Sequence, residues 1–149
     1  VSLFYAGYFK KWPGTFASAL SILILFPLLE FELLSNRLFI IIFVIIFVIS
    51  LYFIKKFSSI TKTHDSRVIV IDEFLGIYLI LIFYDLIFFI NSSITLIIVF
   101  VLFRFFDILK IFPANIIDKK MHNPLGVVLD DLVASIYTIL ILFILNVIY

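Results

Sequence analysis

Residues 38–54 read LFIIIFVIIFVISLYFI, seventeen consecutive positions without a charged side chain. A helix that is apolar all round has no face to offer water and belongs in a large core or a bilayer. About 17 residues is also the shortest run that crosses the hydrocarbon region of a membrane. Composition decides between the two settings. The 149 residues are 65% hydrophobic and 14% charged, where an ordinary soluble domain is about 45–50% apolar and about 25% charged. With a mean hydropathy of +1.32, the chain has too little polar surface to enclose a water-soluble core. It reads as an integral membrane protein, one domain over residues 1–149.

Four more apolar segments flank this one: Phe16–Leu29, with Pro27 near its end, Phe74–Ile90, Ile94–Phe106 and Val127–Tyr149. The expected fold is therefore all-α, a polytopic bundle of four or five hydrophobic helices. Phe16–Leu29 and Ile94–Phe106 fall below the spanning length and are candidates for re-entrant segments. With five spans, ten of the eleven basic residues collect on one side, and Arg37 alone is left for the other beside Glu30 and Glu32. Basic residues concentrate on the cytoplasmic side of a membrane, so the N-terminus is expected there and the C-terminus outside. Lys10 and Lys11 are followed by a long span with no small-residue cleavage site, so no secretory signal is expected.

The basic connectors also hold or border WPGT (12–15), DE (72–73), FRFFD (103–107) and DD (130–131). The polar motifs are thus expected to gather at the cytoplasmic face. Arg104, Asp107 and Lys110 share one arc of a helix, compatible with a plain i,i+3 ion pair and a snorkelling lysine. Charges set in apolar sequence, however, usually line an interior or a functional path. Asp72 reads as the N-cap of the third helix, with Glu73 favoured by the helix dipole, and Gly76 clears space one turn on. Asn123 and Pro124 mark the start of the last helix. Asp130 and Asp131 lie too far inside it to be caps, and adjacent like charges at a membrane boundary repel unless a cation holds them.

Asp72, Glu73, Asp107, Asp130 and Asp131 therefore form a candidate metal set, oxygen-rich and free of sulfur since the chain has no Cys. Such a set suits Mg²⁺ or Mn²⁺. Beside Arg104 and Lys110 it suits a phosphate ester, because cations neutralise the charge of a phosphoryl group in transfer. Arg104, Lys110 and Thr15, with Ser18 and the backbone amides after a Pro-Gly turn, are candidates to meet the phosphate. Asp107, Asp131 and Arg104 are the candidate catalytic residues. His64, Asp65 and Asp118 read as loop residues, His122 as a neighbour of the site, and Asp85 as a boundary residue or a partner for Arg37. There is no P-loop. A different class stays open: a small cation- or proton-coupled transporter, which would spread its acids through the membrane depth. So does a subunit using its charges only to pair helices.

The motifs WPGTFASAL, VIVIDEFLGIY, FVLFRFFDILKIFP and NPLGVVLDDLVASIY, in this order and spacing over about residues 7–140, resemble the phosphatidylglycerophosphatase A family. The resemblance implies a Mg²⁺-dependent lipid phosphatase of the bacterial cytoplasmic (inner) membrane, with its active site facing the cytoplasm. The implied substrate is phosphatidylglycerophosphate, converted to phosphatidylglycerol and phosphate. Asp72, Glu73, Asp107, Asp130 and Asp131 match the family's acidic positions, and Arg104 and Lys110 its basic ones. The chain departs from the pattern at Ile111–Phe112, Ala134–Ser135 and Ala17–Ser18, none of which removes a charge. The implied partners are the lipid and the membrane, with no nucleic acid; the sequence leaves the oligomeric state open.

Overall fold

The computed structural model describes residues 2, 12–62, 68–88, 91–121 and 123–148; Lys10, Lys11, His64, Asp65, Arg67, His122 and the side chain of Asp118 lie outside the described residues. The described chain is helical throughout: α1 Pro13–Glu30, α2 Asn36–Thr61, α3 Ile71–Ile82, α4 Tyr84–Ile87, α5 Ser92–Leu109, α6 Ala114–Lys120 and α7 Pro124–Ile148. Helix starts follow local chemistry. The first backbone N–H groups of a helix have no intrahelical acceptor, and a side-chain oxygen just before the helix supplies one. Ser35 accepts from Leu38 N–H at 3.4 Å, Asn91 from Ile94 N–H at 2.9 Å and Asn123 from Gly126 N–H at 2.7 Å. Asn123 and Pro124 thus open α7 as expected. Pro13 and Gly14, expected in a turn, are instead the first residues of α1. Asp72 is not a cap either: Val70 holds that position, and Asp72 lies inside the first turn of α3.

Four helices are long and apolar enough to cross a membrane: α1, α2, α5 and α7. The two segments that looked short gain length from polar flanks, and α1 and α5 reach 18 residues each, about 27 Å at 1.5 Å per residue. α1 runs on through Pro27 to Glu30. The third segment departs most from expectation. It is not one helix over Phe74–Ile90 but a 12-residue α3 and a four-residue α4, broken at Phe83, where neither Gly nor Pro marks the break.

α3 is the centre of the bundle. Eight of its twelve residues are buried, and it packs chiefly on α7 and α1, then on α2. In lipid, association rests on close packing and interhelical hydrogen bonds more than on exclusion of water. Both occur here. Tyr78 is buried against the Phe39 ring, its hydroxyl donating to the Phe39 carbonyl at 2.9 Å. A Cβ on Gly76 would stand 2.6 Å from the Phe103 ring of α5 and 3.0 Å from Ser135 Oγ of α7. The missing side chain thus lets three helices meet at one level.

Contacts place the helix ends in two groups. The N-terminus of α1, the N-terminus of α3 and the C-terminus of α5 meet at Gly14, Glu73 and Arg104, and the first turns of α7 join them through Lys110 and Asp130. Ile54, late in α2, packs with Leu75 and Val128 near the same level. At the other end, Leu29, Glu30, Asn36, Leu81 and Tyr84 line one cleft, and Asn146 Nδ2 donates to the Leu86 carbonyl at 3.0 Å. The chain therefore alternates ends along α1, α2, α3–α4, α5 and α7. The four motifs of the sequence arrive at the same end.

Candidate metal and phosphate site

Each polar residue of this end is set by its place in a helix. Asp72 and Glu73 occupy the first turn of α3, and Asp131 stands two turns into α7. One oxygen from each of these three carboxylates lies within 4.8 Å of the others. Asp72 and Asp131 are buried, at 8% and 4% exposure. Glu73 Oε2 and Asp131 Oδ2 are buried with no hydrogen-bond partner among the described residues. Burying a charged oxygen without a partner is costly, and a hard cation bound by carboxylate oxygen removes that cost. The donor set therefore fits a divalent cation, held by Asp72, Glu73 and Asp131.

The two other acids of the candidate set meet cations of the protein. Arg104 and Asp107, three residues apart on α5, are in ion contact at 2.5 Å, with side chains only 16% and 14% exposed. Lys110 Nζ donates to Asp130 Oδ2 at 2.8 Å. Lys110 caps the C-terminus of α5 in a left-handed conformation, φ 43°, its own N–H donating to the Phe106 carbonyl. That conformation is uncommon for a residue with a Cβ; it turns the chain away from α5 while the side chain reaches α7. Five carboxylates against two cations leave a formal charge of −3 in one partly buried cluster, so the site favours a further cation. Charges of like sign this close resist desolvation together.

α1 closes the site with backbone rather than side chain. A Cβ on Gly14 would stand 2.2 Å from Glu73 Oε1 and 3.1 and 3.2 Å from the terminal guanidinium nitrogens of Arg104. Gly14 is thus the surface against which both charged groups rest. Thr15, half-buried in the same turn, follows it. Ser18 does not face a phosphate: it is fully buried and donates to the Gly14 carbonyl at 2.8 Å. Arg104 Nε is buried without a hydrogen-bond partner among the described residues.

The structure thus brings the five acids together with Arg104 and Lys110, but divides the acids into three carboxylates that converge and two that pair with Arg104 and Lys110. Asp85, read as a boundary residue or a partner for Arg37, is exposed at the far end, lining a cleft of about 620 Å³ with Glu30 and Glu32. Two contributors escaped the sequence reading. Gly14 was visible only as part of a turn. Ser135 was visible only as a departure from a family pattern; it is fully buried, and its hydroxyl lies 2.9 Å from the Gly76 carbonyl and 2.8 Å from the Asp131 carbonyl.

The sequence matches the family described as phosphatidylglycerophosphatase A over residues 1–146. It is 34% identical over 140 residues to a protein of Haemophilus influenzae named phosphatidylglycerophosphatase A, covering 94% of this chain and 82% of that one. No solved structure matches. A bundle with four helices able to cross a membrane, carrying at one end the acidic and basic residues of three motifs and Gly14 of the fourth, therefore belongs to the phosphatidylglycerophosphatase A family.

Proposed function

We propose that this chain hydrolyses the terminal phosphomonoester of phosphatidylglycerophosphate to phosphatidylglycerol and inorganic phosphate, with Mg²⁺ held by Asp72, Glu73 and Asp131. The convergence of those three carboxylates at one end of the bundle carries the reading, and the name of the Haemophilus relative supplies the substrate. A phospholipid keeps its phosphate at headgroup depth, the level of the helix ends. The basic connectors favour the cytoplasmic face of the bacterial inner membrane for this end.

In the reaction water attacks phosphorus, the bond from phosphorus to the glycerol oxygen breaks, and the departing alcohol takes a proton. A bound divalent cation supplies Lewis-acid polarisation of the phosphoryl oxygens. The protein's own residues do the positioning. Arg104, braced by Asp107 and resting on Gly14, presents its guanidinium to the charge that spreads over the phosphoryl oxygens. Lys110, held by Asp130, adds a second positive charge. Thr15, in the first turn of α1, offers a hydroxyl at the same level. Asp107 acts through Arg104, so its loss should be felt as misdirected phosphate binding.

A transporter is not favoured. Among the described acidic side chains, Asp72, Glu73, Asp107, Asp130 and Asp131 lie at the site end, and Glu30, Glu32 and Asp85 at the opposite one. None lies between, so no relay crosses the bundle.

The test is phosphate release from phosphatidylglycerophosphate by the detergent-purified chain, with Mg²⁺, with EDTA, and after Asp131→Asn. Release should need the cation and vanish in the variant. Release that persists in EDTA and in Asp131→Asn would overturn the proposal.

A further inference from the structure

Most buried hydroxyls of this bundle serve their own helix. Ser18 donates to the Gly14 carbonyl, Ser21 to Ala17 and Thr138 to Ala134, each four residues back. Ser135 does this too, towards Asp131, and also reaches across to the Gly76 carbonyl of α3. Its place is informative. Asp131 is one turn before Ser135 on α7, and Gly76 is one turn after Asp72 on α3. The shared hydrogen therefore ties the two helices that carry the converging carboxylates, one turn below those carboxylates.

Their spacing has little tolerance. Two ligands of one Mg²⁺ lie no more than about 4.2 Å apart, twice a bond of about 2.1 Å, and the three carboxylate oxygens lie within 4.8 Å of one another. A slip of α7 along α3 by one residue is about 1.5 Å, enough to part them. We propose that Ser135 is a positioning residue, whose hydroxyl fixes the register of α7 on α3 and so keeps Asp131 within cation-binding reach of Asp72 and Glu73. The inference rests on the reading that these carboxylates hold a divalent cation.

Three variants of the full chain in detergent test it: Ser135→Ala, Ser135→Cys, which keeps the volume with a weaker donor, and Thr138→Val. Mn²⁺ binding is followed by the paramagnetic resonance of free Mn²⁺, phosphate release is measured against Mg²⁺ concentration, and folding is followed by thermal unfolding. In both Ser135 variants the half-saturating cation concentration should rise about tenfold, as for loss of an outer-shell partner, while release at saturating cation falls less than about twofold. Thr138→Val should leave Mn²⁺ binding unchanged, since among the described residues that hydroxyl bonds within α7, to the Ala134 carbonyl. Parent-like Mn²⁺ binding in a folded Ser135→Ala overturns the inference; if that variant does not fold, Ser135→Cys decides. Equal weakening by Thr138→Val also overturns it, because general loosening of α7 would then suffice. A parent chain that binds no Mn²⁺ and needs no cation would instead refute the functional reading beneath it.

Discussion

Replacing Gly14 by Ala tests whether α1 is part of the site or merely beside it. The new Cβ would stand 2.2 Å from Glu73 Oε1, whereas ordinary contact begins at 3.4 Å, so the oxygen must retreat by about 1.2 Å. The Arg104 nitrogens, 3.1 and 3.2 Å from the same point, must give way by a few tenths of an ångström as well, so both charged groups shift together. Displacement of a reacting or coordinating group by about 1 Å costs on the order of 100-fold in rate. Helix stability moves the other way, since Ala is up to about 1 kcal/mol better than Gly in a helix. Gly14→Ala should therefore be as stable as the parent and about 100-fold slower in phosphate release, with a raised Mg²⁺ requirement. The assay is phosphate release in mixed micelles across Mg²⁺ concentrations, with thermal unfolding of the same preparations. Shortening the acid as Glu73→Asp withdraws the clashing oxygen, so Gly14→Ala should do less harm in that background than in the parent, a coupling that a double-mutant cycle isolates. A Gly14→Ala enzyme within twofold of the parent in rate and cation requirement would refute this account of how α1 closes the site.

Asp130 and Asp131 are neighbours in sequence with different partners, and their Asn variants should differ. Asp131→Asn should abolish turnover and weaken Mn²⁺ binding, whereas Asp130→Asn should bind Mn²⁺ nearly as the parent does and lose rate by removing one acceptor of Lys110; direct Mn²⁺ titration of both separates the cases. If Asp130 acts through Lys110, Lys110→Met combined with Asp130→Asn should cost little more than either alone, as phosphate release will show. Gly76→Ala would push a methyl to within 2.6 Å of the Phe103 ring, and overpacking of this kind costs about 1–3 kcal/mol. Its thermal midpoint should fall, with recovery when Phe103 is also made Leu.

Much of the fold was legible because a bilayer makes simple demands. A run such as residues 38–54 has one stable setting, and Asn123 followed by Pro124 announces a helix whatever surrounds it. Alternation of ends followed from counting apolar segments, and it brought the four motifs to one face before any contact was known. The break at Phe83 was not legible. No residue there forbids a helix; the neighbours of α3 decide where it stops. Segment length was misleading for a related reason: α1 and α5 extend into polar residues that a hydropathy reading excludes.

The sequence by itself determined that the protein belongs in a membrane and that five of its acids, Asp72, Glu73, Asp107, Asp130 and Asp131, share one end with Arg104 and Lys110. Only the tertiary structure decided how those charges divide. Asp107 could be assigned to Arg104 from helical spacing, because three residues along a helix are neighbours. The pairing of Lys110 with Asp130 joins different helices across twenty residues of sequence, and the tie from Ser135 to Gly76 spans fifty-nine. Such contacts depend on the rotation and axial register of packed helices, which local pattern does not encode. The same holds for Gly14, whose importance lies in the space a side chain would occupy, and that space exists only once α1, α3 and α5 have met.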